Sequence, residues 1–530
     1  MALRILSEAC SQTTELCASV CIVGAGIAGL VAATRLARDR KHGIVVLESG
    51  LCQHEPAMVS LNEIDNPGEN YLGALKGRSR GLGGTSLLWS GKLLPLSAHD
   101  MQPRPEVGLE GWPFDIAELD QYRQESEKLM EVDIEPYEGT ITEQLDPNGL
   151  LPRSDVDFCL RWPKRPSAKN HNLAYVLRKE IQNHENIEIW LGATVSRFCF
   201  DLSSGRIKTL TAVNHAGKTV RVTADHYLLA AGTLESTRLL LLADRQSNSA
   251  ISCSCDALGR YFNDHLGLHV AVVRPRNEMV TNLALSDRYT FGTTRHLHFE
   301  LKPETQKEHG IGSAYFDMSV ELPNSSSLIK TKDVLRSLKG RKPVIRYRDI
   351  RDILRDSPAL FHTAQWKSVR KQKYWPANAC LPIEIRVEQL PLWSNRISLS
   401  DQDDVFGVPR LQLEWKKTAA EEKAFRTMVG KIDCYWKKYL AGVCELDWMS
   451  EVLESGSMVE SAIDLAHPAG STRMGINPRH SVVDPRLRVH RISNLSVASA
   501  SVFPSSGSAN PTLTIMHLAM RAADALTTNH

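Results

Sequence analysis

The sequence predicts an α/β chain, α+β overall, in which a parallel-sheet domain is joined to a second domain built on an antiparallel sheet. Three observations carry this expectation. Residues 19–48 read strand, glycine-rich turn, helix, strand. The run Tyr227–Ala231 is strand-like and ends at Gly232 before a second helical stripe. Residues 383–415 alternate apolar and charged side chains between turns, the pattern of antiparallel strands with one buried face.

Bulk composition narrows the class. The chain has 530 residues, 42% hydrophobic and 23% charged, which is ample for a large core. Its net charge of +2 gives no reason to expect a nucleic-acid partner. Eleven scattered cysteines, an odd number without C-x-x-C pairs, argue against a disulfide framework and a structural metal site. A reducing, cytoplasmic setting is expected. The first eighteen residues lack an apolar signal core, and no run approaches the ~18 apolar residues of a membrane span. Asn324 begins a formal glycosylation triplet that has no meaning in such a setting.

The opening unit has a specific physical reading. Strand Ser19–Val23 runs into Gly24-Ala25-Gly26-Ile27-Ala28-Gly29, and an apolar helical stripe follows. Gly24 allows a sharp turn, Gly26 lets the backbone approach a pyrophosphate, and Gly29 lets the helix lie close. The helix N-terminus adds free N–H groups for phosphate, near Ile27 and Ala28. The next strand, Ile44–Leu47, ends in Glu48 and Ser49, where an acid takes a ribose hydroxyl. Strand, turn, helix, strand and acid together predict a Rossmann-like dinucleotide site, without separating NAD from FAD.

Residues 77–91 hold five glycines, with Arg78, Arg80, Gly83, Gly84, Thr85, Ser86, Trp89 and Ser90 between and after them. A backbone this bare wraps a flat or phosphorylated ligand closely. Arg78 and Arg80 read equally well as solvated charges. This block, taken with the first, resembles the glucose–methanol–choline (GMC) family of FAD oxidoreductases, in which it lies along the pyrophosphate and flavin ring. In the related pyranose oxidases a histidine here bonds covalently to the flavin. The matching residue is Leu88, so the expectation is non-covalent FAD. Further resemblances are Gly259–His265, where Asp264 and His265 read as structural, and Tyr227–Leu240, where Ala231 and Gly232 would lie near FAD. The resemblance also puts Val195 near the adenine.

The domains expected are 1–267 for FAD binding, with an excursion at about 101–186, then 268–455 for substrate, and 456–530 returning to the FAD domain. Between them the basic segment 330–355 carries ten Lys or Arg. Asp333, Asp349 and Asp352 within it and Asp356 just after it dilute the charge, so solvated helices in an insertion are expected in preference to a membrane-surface or partner-docking helix. In the second domain the sheet would wall the substrate site, with Glu388 and Gln389 within reach of a sugar hydroxyl or simply on a solvated edge.

The C-terminal stretch carries the chemistry. His467-Pro468-x-Gly-Ser-Thr-Arg-Met-Gly475, the run through Ala500 and Ser501, and Asn510-Pro511-Thr512 resemble the same family's closing signature, closest to its bacterial sugar-oxidising, pyranose-oxidase-like branch. The resemblance implies hydride removal from a carbinol carbon to flavin N5. His467 is the expected base, because imidazole titrates near ~6.5. Asn510 fixes the hydroxyl without competing for its proton, and is read as the cap of a helix whose positive end faces the flavin. The expected substrate is a small-molecule alcohol on a sugar, glycoside or aminoglycoside. Oxygen or another electron acceptor is equally open, and no metal is expected. Alternatives are a sterol or other alcohol, a redox-neutral lyase, or a flavin-binding protein without turnover.

Overall fold

The structure is a computed structural model, and it describes residues 2–527 apart from 53–55, 147–148, 202–203, 291, 324–325, 327–330, 332–350, 352–356 and 455. Asn324 and nearly all of the basic segment 330–355 therefore lie outside the described residues.

The first sheet grows around strand Thr13–Val23, which is half exposed at its start and buried over Val20–Val23. It pairs in parallel with Ile44–Glu48 on one side and Thr219–Leu229 on the other. Ile187–Leu191 and Ala2–Ile5 extend the parallel array past Ile44–Glu48. On the other flank Thr219–Leu229 divides its edge. Thr219–Val222 pairs with the antiparallel strand Arg206–Val213, and Tyr227–Leu229 with the parallel strand Leu495–Val497. Thr194–Asp201 completes the sheet beside Arg206–Val213. Parallel strands need cover on both faces, which explains the unbroken apolar run Ile44–Leu47. Helix Ile27–Ala37 supplies part of that cover and lies against helix Thr512–Thr527. The last helix of the chain thus packs on the first.

The second sheet orders Cys444–Trp448, His265–Pro275, Pro382–Glu388, Ala314–Met318, His298–Leu301 and Phe158–Arg161 side by side, every ladder antiparallel. Ile463–Asp464 pairs with Leu266 and Gly267 and hands the chain back toward the first domain. Helix Ala419–Tyr439 covers one face. Its start is fixed by a capping box between Thr418 and Glu421. Phe425, Met428, Ile432 and Trp436 recur at helical spacing and are buried against the sheet. Each such burial stabilises by roughly 1.5–3 kcal/mol.

Several expectations change. Residues 383–415 are not one meander. Pro382–Glu388 belongs to the large sheet, whereas Arg396–Asp403 and Pro409–Glu414 form a hairpin that pairs with Ile64–Asp65 in a separate sheet. Both faces of Pro382–Glu388 are covered, so its alternating charges face the first domain instead of water. Strand Arg206–Val213 had no expectation, because its Lys and Thr residues dilute the apolar alternation. Phe158–Arg161 is an edge strand of the second sheet, although it lies within the expected excursion of the first domain. All eleven cysteines are unpaired. Among the described residues no helix is long and apolar enough to cross a membrane.

Candidate active site

A cavity of about 710 Å³ opens between the two sheets. Its near end is built by the first glycine-rich turn. Gly24 has φ +104°, and a Cβ there would meet the Ala230 carbonyl at 2.7 Å. A Cβ on Gly29 would lie 1.9 Å from the Gly24 carbonyl, so the helix can approach the turn only as glycine. Gly26, Ile27 and Ala28 line the cavity, and no side chain caps the helix N-terminus at Gly26. Its free N–H groups face the space where a pyrophosphate would be held.

Glu48 ties the two glycine-rich segments together. One carboxylate oxygen accepts from Gly50 N and Gly81 N, both at 2.9 Å, and the other from Ala25 N at 2.8 Å. Burial raises its pKa, while these donors and Arg80 pull it down. Gly83 N donates to Ala25 O at 2.9 Å, closing the same junction. Arg80 is bound by Asn62, Ser49 and Glu235, and Arg78 by Ala74 O and Asn62 O. Burial lowers Arg78 to about 9, so neither arginine is a solvated surface charge.

Most of the expected cofactor residues surround one space. Gly24, Gly26, Ile27, Ala28, Glu48, Ser49, Arg80, Gly84, Thr85, Trp89, Ser90, Val195, Ala231, Gly232, Ala500, Asn510 and Thr512 all line it. Gly29, Gly83, Ser86 and Ser501 stand behind it. Ser86 Oγ donates to Gly83 O and accepts from Leu173 N, and Ser501 Oγ bonds Thr472 and Ser499. Three helices, beginning at Ile27, Gly232 and Thr512, bring their N-terminal residues to the lining. That gathering of unbonded backbone N–H groups suits a dianionic pyrophosphate and an electron-rich ring, and the residues fit FAD.

The far end holds His467 and Asn510. Asn510 Nδ2 lies 3.1 Å from His467 Nε2, and His467 Nδ1 lies 3.0 Å from His265 Nδ1. His265 Nε2 is 2.8 Å from the Gly507 carbonyl. A carbonyl only accepts, so His265 Nε2 carries the proton. Its Nδ1 is then an acceptor, and His467 Nδ1 must donate to it. This leaves His467 Nε2 as a lone pair toward the cavity, accepting from Asn510. The tautomers follow from the hydrogen-bond chain. Burial depresses the His467 pKa well below the usual imidazole range, and His265, Arg386 and Lys92 add to the effect. The His467 backbone N–H is held by Asp264 Oδ1 at 2.9 Å. Burial pushes Asp264 up to about 8, against the pull of Tyr71 and the backbone donors.

Two expected details change. Asn510 does not cap the last helix. The Pro511 carbonyl accepts from Ile515 N, the helix runs Thr512–Thr527, and Asn510 Oδ1 is buried with no partner. Its side chain lines the cavity instead, with Nδ2 on His467. Gln389 does not reach the cavity: its oxygen accepts from Trp415 Nε1 at 2.7 Å and its nitrogen donates to Lys416 O at 3.0 Å. Glu388 is likewise inward, in a bidentate pair with Arg104. The titratable residues of the second domain that do line the space are Asp287, His296, Asp317, Lys373 and Arg386. The alternating charges of strand 382–388 were the one sign of this, and they read as a solvent face.

Comparisons with known proteins agree with this geometry. Residues 391–519 match the GMC oxidoreductase profile, and residues 22–51 match that of an NAD(P)-binding Rossmann-like domain. The chain is 22% identical to the 6'''-hydroxyparomomycin C oxidase of Streptomyces lividus, over 96% of this chain and 91% of that one. It is 25% identical to the fructose dehydrogenase large subunit of Gluconobacter japonicus, over 61% of this chain and 51% of that one. Its fold resembles formate oxidase from Aspergillus oryzae RIB40, with a TM-score of 0.60 at 17% identity, covering 98% of this chain and 99% of that one. With both ends of the cofactor site and these relatives in agreement, residues 391–519 form a GMC oxidoreductase C-terminal domain, and the chain is an FAD-dependent oxidoreductase acting on CH–OH groups.

Proposed function

We propose that His467 is the base with which this chain oxidises a primary or secondary alcohol on a small polyhydroxylated molecule, and that Asn510 orients the reacting hydroxyl. The observation that carries this reading is the unprotonated His467 Nε2, fixed toward the cavity beside the unpaired Asn510 Oδ1. A hydroxyl entering there displaces Asn510 Nδ2 from the Nε2 lone pair, donates to Nε2 and accepts from the freed Nδ2. The proton then passes to a ring that burial has kept neutral. Bound FAD supplies the hydride acceptor. The helix beginning at Thr512 turns its positive end to the same space, where negative charge develops.

The reading extends to how FAD is held and how the chain divides. Leu88 lines the cavity with a side chain that forms no covalent link. Among the described lining residues the imidazoles are His296 and His467, and both are already hydrogen-bonded. FAD is therefore bound by shape and hydrogen bonds. Residues 1–267 and 456–530 hold it, and 268–455 face it with the substrate wall.

The test is anaerobic mixing of the purified flavoprotein with a panel of sugars, glycosides and simple alcohols, following loss of flavin absorbance. Bleaching by members of the panel is expected, and denaturation releases free FAD. Flavin that stays with the denatured chain would refute non-covalent binding. Unbleached flavin with every alcohol would refute the reaction.

A further inference from the structure

The cavity wall around Asp287 and Asp317 carries an excess of positive charge, and this bears on the substrate. Asp317 receives three side chains: Lys92 at 2.5 Å, Arg386 at 2.7 Å and His296 Nε2 at 3.1 Å. Asp287 receives His296 Nδ1 at 2.6 Å and Lys373 at 3.3 Å. Arg386 has a second carboxylate partner in Glu384. Both nitrogens of His296 thus lie against carboxylates, one on Asp287 and one on Asp317. Arg165 stands apart from this network. It lines the same cavity from the short strand Lys164–Arg165, has no ion-pair partner among the described residues, and its Nε is shielded from solvent without a hydrogen bond.

Four Lys and Arg side chains thus meet three carboxylates, with His296 between two of the three. Asp287 and Asp317 are each already shared between at least two side-chain partners, so neither is left for a positively charged group of a ligand. The surplus is the Arg165 guanidinium, which has no ion-pair partner among the described residues. A guanidinium recognises carboxylate and phosphate oxygens bidentately and repels ammonium groups. Asp287 is held well below the usual carboxylate range, by His296 and Lys373 foremost among its charged neighbours and with Arg165 contributing, against the opposing effect of burial. Arg165 and Lys373 therefore act around one point of the wall.

We propose that this wall is the anion-recognition end of the substrate site: the alcohol oxidised at His467 carries a carboxylate or phosphate group, which Arg165 and Lys373 bind. The inference rests on the proposed alcohol oxidation and narrows its substrate. An alcohol bearing amines is disfavoured by the same wall, since it would add positive charge where no acceptor is free.

The test uses the flavin-loaded protein with matched series of alcohols: a neutral sugar or polyol, its carboxylate form, its phosphate ester and its amino analogue. Anaerobic flavin reduction gives a half-saturating concentration for each. The expected result is a value lower by about 10-fold or more for the carboxylate or the phosphate than for the neutral parent, with the amine poorest. Which anion gains more identifies the group. Arg165→Gln and Lys373→Gln should each erase that advantage, raising the half-saturating concentration of the anionic alcohol about 10-fold or more and that of the neutral parent by less, and Arg165→Lys should restore part of it. Full flavin content in each variant reports that the fold is intact. If neutral or amino alcohols saturate as readily as anionic ones, the anion site is refuted and alcohol oxidation stands. If no alcohol of any charge reduces the flavin, the oxidation reading fails and the anion site fails with it.

Discussion

His265 Nδ1 and His467 Nδ1 face each other at 3.0 Å, and only one of them can hold a proton. The Gly507 carbonyl decides which, because it obliges His265 to place its proton on Nε2. His265 is therefore a positioning residue: it sets the tautomer of His467 without reaching the substrate. Replacing it by Ala frees His467 to carry its proton on Nε2, where it cannot accept another. Flavin reduction should slow by up to the ~10²–10⁴-fold that a general base contributes, with flavin content unchanged. The reduction-rate pH profile should shift, and His265→Asn, whose amide oxygen can accept where Nδ1 does, should recover part of the rate. An unchanged rate and profile in His265→Ala would show that the tautomer is set elsewhere.

On the proposed role, pH dependence follows from the depressed pKa of His467. The base must be neutral. An ordinary imidazole is half protonated near ~6.5 and would lose activity through that range. Burial, with His265, Arg386 and Lys92 nearby, disfavours the charged form of His467. Its neutral form is thus fully present above the usual imidazole range and persists as pH falls through it. Stopped-flow reduction should be flat from about pH 8 to about pH 6 and decline only below. A break centred on pH 6.5–7 would show an unshifted base. His467→Ala should keep FAD and lose about 10²–10⁴-fold in reduction rate.

The sequence was most readable where local geometry is restrictive. Gly24 and Gly29 occupy positions that no side chain can share, so their spacing specified the turn and the helix approach. The ends of the site were legible for the same reason, as short runs with strict residue demands. The wall between them was not. Glu384, Arg386 and Glu388 alternate with apolar residues as a solvent-facing strand does, and only the tertiary fold turns that face inward against Asp317 and Arg104. Gln389 follows the same strand, and nothing local shows that Trp415 and Lys416 enclose it. The ring contact of His265 with His467 joins residues 202 apart in sequence and had no local signature.

The glycine turn makes a separate prediction about cofactor retention. In Gly29→Ala the new methyl would overlap the Gly24 carbonyl, and that atom is backbone, so the turn or the helix must move. Either movement displaces the N–H groups of Gly26 to Ala28 from the cavity. The variant should purify with little or no flavin, judged by absorbance near 450 nm against 280 nm. Since flavin bound to the native state also stabilises it, melting should fall and be partly restored by added FAD. Normal flavin content in Gly29→Ala would mean that the turn is not the pyrophosphate anchor.

A last prediction concerns the ion pair beneath the site. Glu388 binds Arg104 through both oxygens, at 2.7 and 3.0 Å, with both side chains almost fully buried. It also accepts from the backbone N–H groups of Ser506 and Gly507 at 3.0 and 2.8 Å. Burial raises its pKa, yet Arg104 and these donors outweigh that and hold it below the usual carboxylate range. Gly507 is also the residue whose carbonyl orients His265, so Glu388 fixes the tautomer chain from below. Glu388→Gln strands a buried guanidinium and should cost about 3–5 kcal/mol in denaturant unfolding. Removing both charges, as Arg104→Met with Glu388→Leu, should cost less than the sum of the single changes, because neither charge is left alone. Glu388→Gln should also slow flavin reduction at saturating alcohol, as the Ser506–Gly507 segment loosens its hold on His265. Additive stability losses in the double variant, with reduction unaffected in Glu388→Gln, would separate this pair from the site.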